Sequence, residues 1–482
     1  MTQQVLRTDV SAPHTRPSRR PALGLALILA VQLMLILDMT VVNVALPQIR
    51  TDLGFTPSAL SWVLNAYTLA FGGLLLLGGR LGDVFGRRRA FVVGLGIFTV
   101  GSLLGGLAPT SELLVLARAG QGVGAAIAAP SVLALLTTSA PDQSARNRAL
   151  ALFSAVSSAG GSLGLILGGA LTGYASWRWS LFINVPLGVL VLVLVPRFVT
   201  ETARQRGPFD VVGAVTATLG SAGLVFGFIN APDHGWSSAG TVGAFVTAAV
   251  LLTTFFVNER RAPAPLLALG LLRSRMRAGA VAVMALFVGA QFAFFFFTVQ
   301  FMQAVLGYGA LQSGFAFLPL TLLIFVTSRI TPRLVGRLGV RPLVVTGLVL
   351  VAAANLWLAQ LGTSSGYVED LLGPMLLTGV GAGLGFMPLT VAVLSDVEPE
   401  HAGTASGLLQ MAQQIGGSLG LAVLVTVYAS RTVPGQVVIG MSSSFHTAAA
   451  FVLVALVPAG LLLGRPRPAK TERPVENLDL AA

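Results

Sequence analysis

Fourteen stretches of roughly 20 residues, apolar and almost free of charge, follow one another through the 482 residues of this chain. Each is long enough to cross a hydrocarbon core of about 30 Å as a helix. In lipid the backbone must satisfy its own polar groups, so runs of this kind fold as spanning helices. A membrane barrel would show strands of about 10 residues with alternating polarity, and these runs do not alternate. The spans are expected near 22–46, 58–78, 90–108, 112–138, 149–174, 179–197, 211–230, 239–257, 278–305, 311–330, 342–361, 367–394, 403–429 and 445–464. Charged residues are 10% of the chain, against about 25% in an average soluble domain. The chain therefore reads as an all-α polytopic membrane protein.

The placement of its cations sets an orientation. Alternate loops and the two tails hold 26 of the 30 Lys and Arg residues, and the other loops hold three, Arg50, Arg178 and Arg431. Cytoplasmic loops carry such an excess, so both termini are expected in the cytoplasm, as an even number of spans also requires. The net charge of +12 is then a topology signal, and nucleic acid is not an expected partner. No cysteine is present, which removes disulfides, thiolate metal sites and cysteine nucleophiles. The sole lysine is Lys470, in the C-terminal tail, so a phosphate-binding GxxxxGK[ST] loop is absent. No ATPase subunit is implied, and any energy must come from a gradient. With no nucleophile–base set or metal-ligand cluster visible in the spans, neither an enzyme nor a cofactor is expected.

One cytoplasmic connection stands apart. GGRLGDVFGRRR, residues 78–89, packs Asp83 among four arginines between two apolar runs. Acidic residues contribute little to topology, so Asp83 calls for another role. The segment returns later in the chain: RLGDVFGRRRAFVVGL at 80–95 aligns without gaps to RLVGRLGVRPLVVTGL at 333–348. GGSLGL likewise occurs at 160–165 and 416–421. The offsets, 253 and 256, nearly agree, which points to two six-helix bundles related by a parallel repeat plus two inserted helices. Parallel repeats of this kind build rocking transporters with the substrate site between the halves. The expected division is a tail at 1–21, a bundle at 22–199, the inserted pair and linker at 200–277, a second bundle at 278–464 and a tail at 465–482.

Four motifs make the chain resemble the major facilitator superfamily, and within it the fourteen-helix drug:proton antiporters, over about 22–464. The stretch 79–88 looks like motif A in Gly79, Leu81, Asp83, Gly86, Arg87 and Arg88, with Val84 where a basic residue is usual. LVLARAGQGVGAA at 114–126 looks like motif B, carrying Leu114, Arg118, Gln121, Gly122, Gly124 and Ala125. LDMTVVNVALPQI at 37–49 resembles the helix 1 motif of the fourteen-helix group in Asp38, Asn43, Ala45, Leu46 and Pro47. GGSLGLILGG at 160–169 resembles the antiporter motif C in Gly160, Gly164, Gly168 and Gly169, with Leu165 in place of the usual proline. The resemblance implies the major facilitator fold and export of drugs, antibiotics or secondary metabolites across a bacterial cytoplasmic membrane in exchange for protons. A facilitator or importer of a polar metabolite is the alternative. A non-transporting membrane receptor or assembly partner is a remoter one, and it would have no need of Asp38.

Asp38 is the one acidic residue well inside a predicted span and Arg118 the one cation. A charge at mid-membrane costs roughly 2.5–3.5 kcal/mol on insertion scales, so it persists where it has a partner or a function. Counted from their helix ends, both lie at nearly one depth, and they are expected to pair as the proton-coupling site. Arginine keeps its charge, so Asp38 would carry the proton. The hinge set is Gly79, Asp83, Gly86, Arg87 and Arg88. By resemblance, Asp83 would latch against the start of helix 13 near Gly403 and Thr404. The helix 5 glycines are expected to pack at the interface between bundles. On a helical wheel Gln291, Phe294, Phe295 and Thr298 share a face suited to an apolar ligand. With Asn43, Gln410 and Gln413 they form the expected substrate set.

Overall fold

Apolar runs punctuated by Gly, Pro and Arg fold as spanning helices, and the punctuation marks their ends. The computed structural model describes residues 19–138, 142–202, 210–262, 269–395, 397, 402–433 and 436–463. Among these, thirteen helices are long and apolar enough to cross a membrane. The first bundle comprises α1 (Arg19–Leu53), α2 (Trp62–Phe85), α3 (Arg87–Gly106), α4 (Ser111–Thr138), α5 (Gln143–Tyr174) and α6 (Trp179–Phe198). The inserted pair is α7 (Val211–His234) and α8 (Ala239–Glu259). The second bundle comprises α9 (Arg275–Ala304), α10 (Ala310–Leu338), α11 (Val340–Leu358), α12 (Tyr367–Leu394), α13 (Ala402–Arg431) and α14 (Val437–Leu462). The described apolar part of α5 is shorter, Leu163–Tyr174, within a helix of 32 residues.

Several ends differ from the sequence expectation. α1 does not stop near Leu46 but runs through Pro47 to Leu53. A proline loses one backbone bond and bends a helix without having to end it. Asp38 consequently lies near the middle of α1. α10 continues past 330 to Leu338, taking Arg333 and Arg337 into the helix, and α14 begins at Val437. The charged segment 78–89 is almost entirely helical. α2 runs to Phe85, α3 starts at Arg87, and only Gly86 separates them.

That reversal explains the repeat. Gly86 has φ +104°, and Gly339, 253 positions later, has φ +84° with α11 starting at the next residue. Both turns need a backbone that side chains disfavour. The second repeat is also a matched contact. A Cβ on Gly164 would strike Thr40 of α1, and one on Gly420 would strike Gly289 of α9. Thus α5 lies on α1 as α13 lies on α9, with small residues letting backbones approach.

The inserted pair does not hang at the periphery. α7 packs on both α2 and α13, one helix from each bundle. Leu69, Val225, Ile229 and Ala422 form one buried cluster there. Thr426 Oγ1 of α13 donates to the Phe228 carbonyl of α7 at 2.6 Å. α7 therefore covers the α2–α13 seam.

Candidate functional site

The two intramembrane charges meet. Arg118 Nη1 donates to Asp38 Oδ2 at 2.5 Å, and each residue is 1% exposed. Gln121, one turn further along α4, donates from Nε2 to Asp38 Oδ1 at 2.9 Å and accepts from Arg118 Nη1 through Oε1 at 2.9 Å. Asn184 of α6 donates to the same Asp38 oxygen at 2.9 Å. Ser102 of α3 binds Gln121 Nε2 at 2.7 Å. Arg118 also donates from Nε to the Val63 carbonyl at 3.0 Å, and its guanidinium carbon lies 4.5 Å from the centre of the Tyr67 ring. Five helices thus converge on one ion pair. A buried pair is tolerable only when its valences are largely satisfied, and here both carboxylate oxygens, Arg118 Nε and Arg118 Nη1 are hydrogen-bonded. The helices' different overhangs reconcile the depths: Arg118 lies seven residues from the start of α4, whereas Asp38 lies 15 residues from the end of α1.

Next to the pair, between the bundles, is a cavity of about 390 Å³. Its walls come from α1 (Ile36, Met39, Thr40, Asn43), α2 (Leu64, Tyr67, Thr68), α5 (Ser157, Gly161, Leu165), α9 (Phe292, Phe295) and α10 (Thr321, Ile324, Phe325, Ser328). Arg118 and Tyr67 face it, and Asp38 is not in its wall. The guanidinium therefore stands between the cavity and the carboxylate. A mostly apolar wall with a few polar groups and one cation is the composition of a small-molecule site.

Of the residues expected to contact a ligand, Asn43 and Phe295 line this cavity. Phe294 and Thr298 are fully buried in the second bundle, while Gln291, Gln410 and Gln413 lie outside the lining. The wheel placed Phe294 and Phe295 on one face; the helix is rotated so that Phe292 and Phe295 look inward. Lipid and protein interior are both apolar, so periodicity alone does not choose between them. Gln121 carried the motif B signal without a role, and Asn184, a lone amide in an apolar span, was the sign of a further partner.

The glycines of α5 are divided. Gly160 lies against Ile36, Gly164 against Thr40 and Gly168 against the Val41 carbonyl, all on α1 of the same bundle. The expectation that all four pack between bundles is corrected by this. Only Gly169 meets the other bundle, at the Ala310 carbonyl of α10.

The charged turn is anchored inside its own bundle. Asp83 pairs with Arg87 one helical turn on. Among the described residues it has no partner on α13, and the surroundings of Gly403 and Thr404 lie outside them. Glu201, beyond the end of α6, accepts from the backbone N–H of Arg88 at 2.9 Å and of Arg89 at 3.2 Å. It caps the positive start of α3. Arg88 Nη1 donates to the Val199 carbonyl at 3.2 Å. A Cβ on Gly86 would sit 2.6 Å from the Glu201 carboxylate, a second reason for glycine there. Gly79 faces Pro130 of α4. A second buried cation, Arg277, was counted with the loop charges. Its guanidinium donates to the Val393, Leu271 and Ser395 carbonyls at 2.9–3.0 Å and ties down the end of α12.

Comparison with known proteins places this geometry. Residues 28–421 match the Major Facilitator Superfamily. The cephamycin export protein CmcT of Amycolatopsis lactamdurans is 40% identical over 451 residues, 92% of this chain and 93% of that one. The puromycin resistance protein pur8 of Streptomyces alboniger is 40% identical over 467 residues, 94% and 92% of the two chains. The tetracenomycin C resistance and export protein of Streptomyces glaucescens is 35% identical over 435 residues, 87% and 80%. Among solved structures, a POT family peptide transporter superimposes with TM-score 0.68 at 16% identity, covering 94% of this chain and 98% of that one. The nucleoside transporter NupG gives 0.66 at 13%, covering 92% and 100%.

Proposed function

The chain belongs to the Major Facilitator Superfamily, and from that membership we propose that it exports antibiotic-like amphipathic molecules in exchange for protons, with Asp38 as the proton carrier. The three relatives above are export or resistance proteins for cephamycin, puromycin and tetracenomycin C. The observation that carries the coupling is Arg118, at once the counter-ion of Asp38 and part of the cavity wall. A carboxylate beside a guanidinium favours its ionised form, and one left alone in a low dielectric favours the protonated form. A ligand that draws Arg118 toward the cavity therefore raises the proton affinity of Asp38, and the return of Arg118 expels the proton. Gln121 and Asn184 hold the carboxylate in place while its charge changes.

We take the arginine-rich end as cytoplasmic, both termini lying there, with the bundles at 22–199 and 278–464 as the rocking units. At the far end Gln303 Nε2 of α9 donates to the Val44 carbonyl of α1 at 3.0 Å, and Gly169 meets Ala310. Those contacts support a cavity sealed from outside, with the site ready to load. The Asp83 turn and the α5 glycines would transmit the rocking. Asn43 and Phe295 are the substrate contacts retained from the sequence. An inward proton supplies about 2.3 kcal/mol per 100 mV. At about 1.4 kcal/mol per tenfold, that sustains an export ratio of roughly 40 for a neutral substrate. The test is reconstitution in vesicles with an antibiotic panel and an imposed pH gradient. Accumulation that collapses with the gradient is expected, and uptake indifferent to it would favour a facilitator.

A further inference from the structure

The two bundles complete their matching turns differently. In the first, the α2–α3 reversal is filled from within. Glu201 accepts from the N–H groups of Arg88 and Arg89, and its carboxylate lies 3.8 Å from Arg88 Nε. The second bundle repeats every part of this arrangement except the acid. α11 packs on α14 as α3 packs on α6. Arg341 follows Gly339 by two residues, as Arg88 follows Gly86. Buried Leu463 follows α14 as buried Val199 follows α6. Two places further on, the sequence has Arg465 where the first repeat has Glu201.

Where the acid is missing, a cavity of about 550 Å³ opens between α11 and α14. Gly339, Arg341, Val345 and Val349 line it from α11, and Leu456 and Gly460 from α14. Among the described residues Arg341 forms no ion pair, and no side chain accepts from the first N–H groups of α11. A helix start attracts negative charge, and guanidinium pairs with phosphate or carboxylate. The turn carries Arg333, Arg337 and Arg341, with no acidic residue anywhere in 331–349. Beyond its charged mouth the groove is apolar. Gly339 to Val349 is ten residues, roughly 15 Å of helix, and Val349 is 48% exposed on the outer surface. A soluble anion would leave that length unfilled. A zwitterionic head group would bring a second cation to a mouth already basic.

We propose that this groove holds an anionic phospholipid of the leaflet at the basic end, with its phosphate on Arg341 and the start of α11. An acyl chain lies along Val345, Val349 and Leu456. The second turn thus takes from the bilayer the negative charge that Glu201 supplies to the first. One bundle carries its brace in the chain, and the other exchanges it with the membrane.

The cysteine-free chain permits a single bimane label, at Val349→Cys in the groove or at Gly96→Cys, the matching position 253 residues earlier, where a Cβ meets open space. Phosphatidylglycerol and phosphatidylcholine with brominated acyl chains are compared as quenchers in nanodiscs at equal mole fraction. A preference of about fivefold for phosphatidylglycerol is expected at Val349→Cys, and none at Gly96→Cys. Arg341→Gln should abolish that preference and Arg341→Lys should keep most of it. No preference at Val349→Cys overturns the proposal, and so does one that survives Arg341→Gln. An equal preference at both positions is bulk attraction to a basic surface and overturns it too. Inorganic phosphate that erases the preference would make this a free-anion site. A preference that emerges only after Glu472→Gln, Glu476→Gln and Asp479→Asn would make the chain's own tail the occupant. Either result rejects the lipid. The measurement uses neither gradient nor substrate, so failure of the export reading would leave it untouched.

Discussion

Replacing Asp38 by asparagine removes one charge and one acceptor with almost no change of shape. In the wild type the carboxylate accepts from Arg118, Gln121 and Asn184. The amide keeps one oxygen and presents an NH2 group where a donor now stands, so at least one of these bonds becomes a clash of donors. Arg118 is left buried without a counter-ion. Breaking a buried pair costs roughly 3–5 kcal/mol. Here Val63, Gln121 and the Tyr67 ring still hold the guanidinium, so a loss near about 3 kcal/mol is expected. The double variant Asp38→Asn/Arg118→Gln removes the stranded charge and should recover much of that loss, a coupling within the roughly 0.5–3 kcal/mol typical of contacting residues. The assay pairs thermal unfolding in detergent with antibiotic efflux from vesicles under an imposed pH gradient. Stability should return in the double variant while gradient-driven efflux stays absent in both. Substrate binding should persist in the single variant, because Asp38 is not in the cavity wall. Proton-coupled efflux at the wild-type rate in Asp38→Asn would refute the coupling mechanism outright.

Other perturbations test the surrounding parts. Arg118→Ala should lose export as well and shift the pH dependence of substrate binding, measured by titration in detergent; an unmoved profile would detach the arginine from coupling. Asp83→Asn loses a partly exposed pair with Arg87, worth about 0.2–1 kcal/mol, and should lower turnover while the protein stays inserted and abundant on immunoblots. Glu201→Ala uncaps α3 at a cost of about 0.5–2 kcal/mol, seen as a lower unfolding midpoint, with Glu201→Gln intermediate. Gly164→Ala drives a methyl into Thr40, an overpacking penalty of about 1–3 kcal/mol. Thr40→Ala in the same chain should restore the folded yield, and no rescue would mean that the contact is not what matters.

Sequence and tertiary structure divided the work along a physical line. The spans were legible because a lipid core accepts only long apolar helices, and the repeat because its glycines sit at matching reversals, Gly86 and Gly339. Asp38 and Arg118 stood out for a related reason: a lone charge among apolar residues is costly enough to mark itself. The ends of α1 and α10 were not legible, since Pro47 bends its helix without ending it and the arginines after 330 can prolong a helix as readily as close it. Nor could the sequence say which way an apolar helix turns. Lipid and protein interior give the same signal, so Phe292 took the place in the cavity that the wheel assigned to Phe294. Partners distant in the chain, Asn184 for Asp38 and Glu201 for the start of α3, lie 146 and 113 residues away. Only packing decides such contacts, because it fixes which backbones approach closely enough for a side chain to reach.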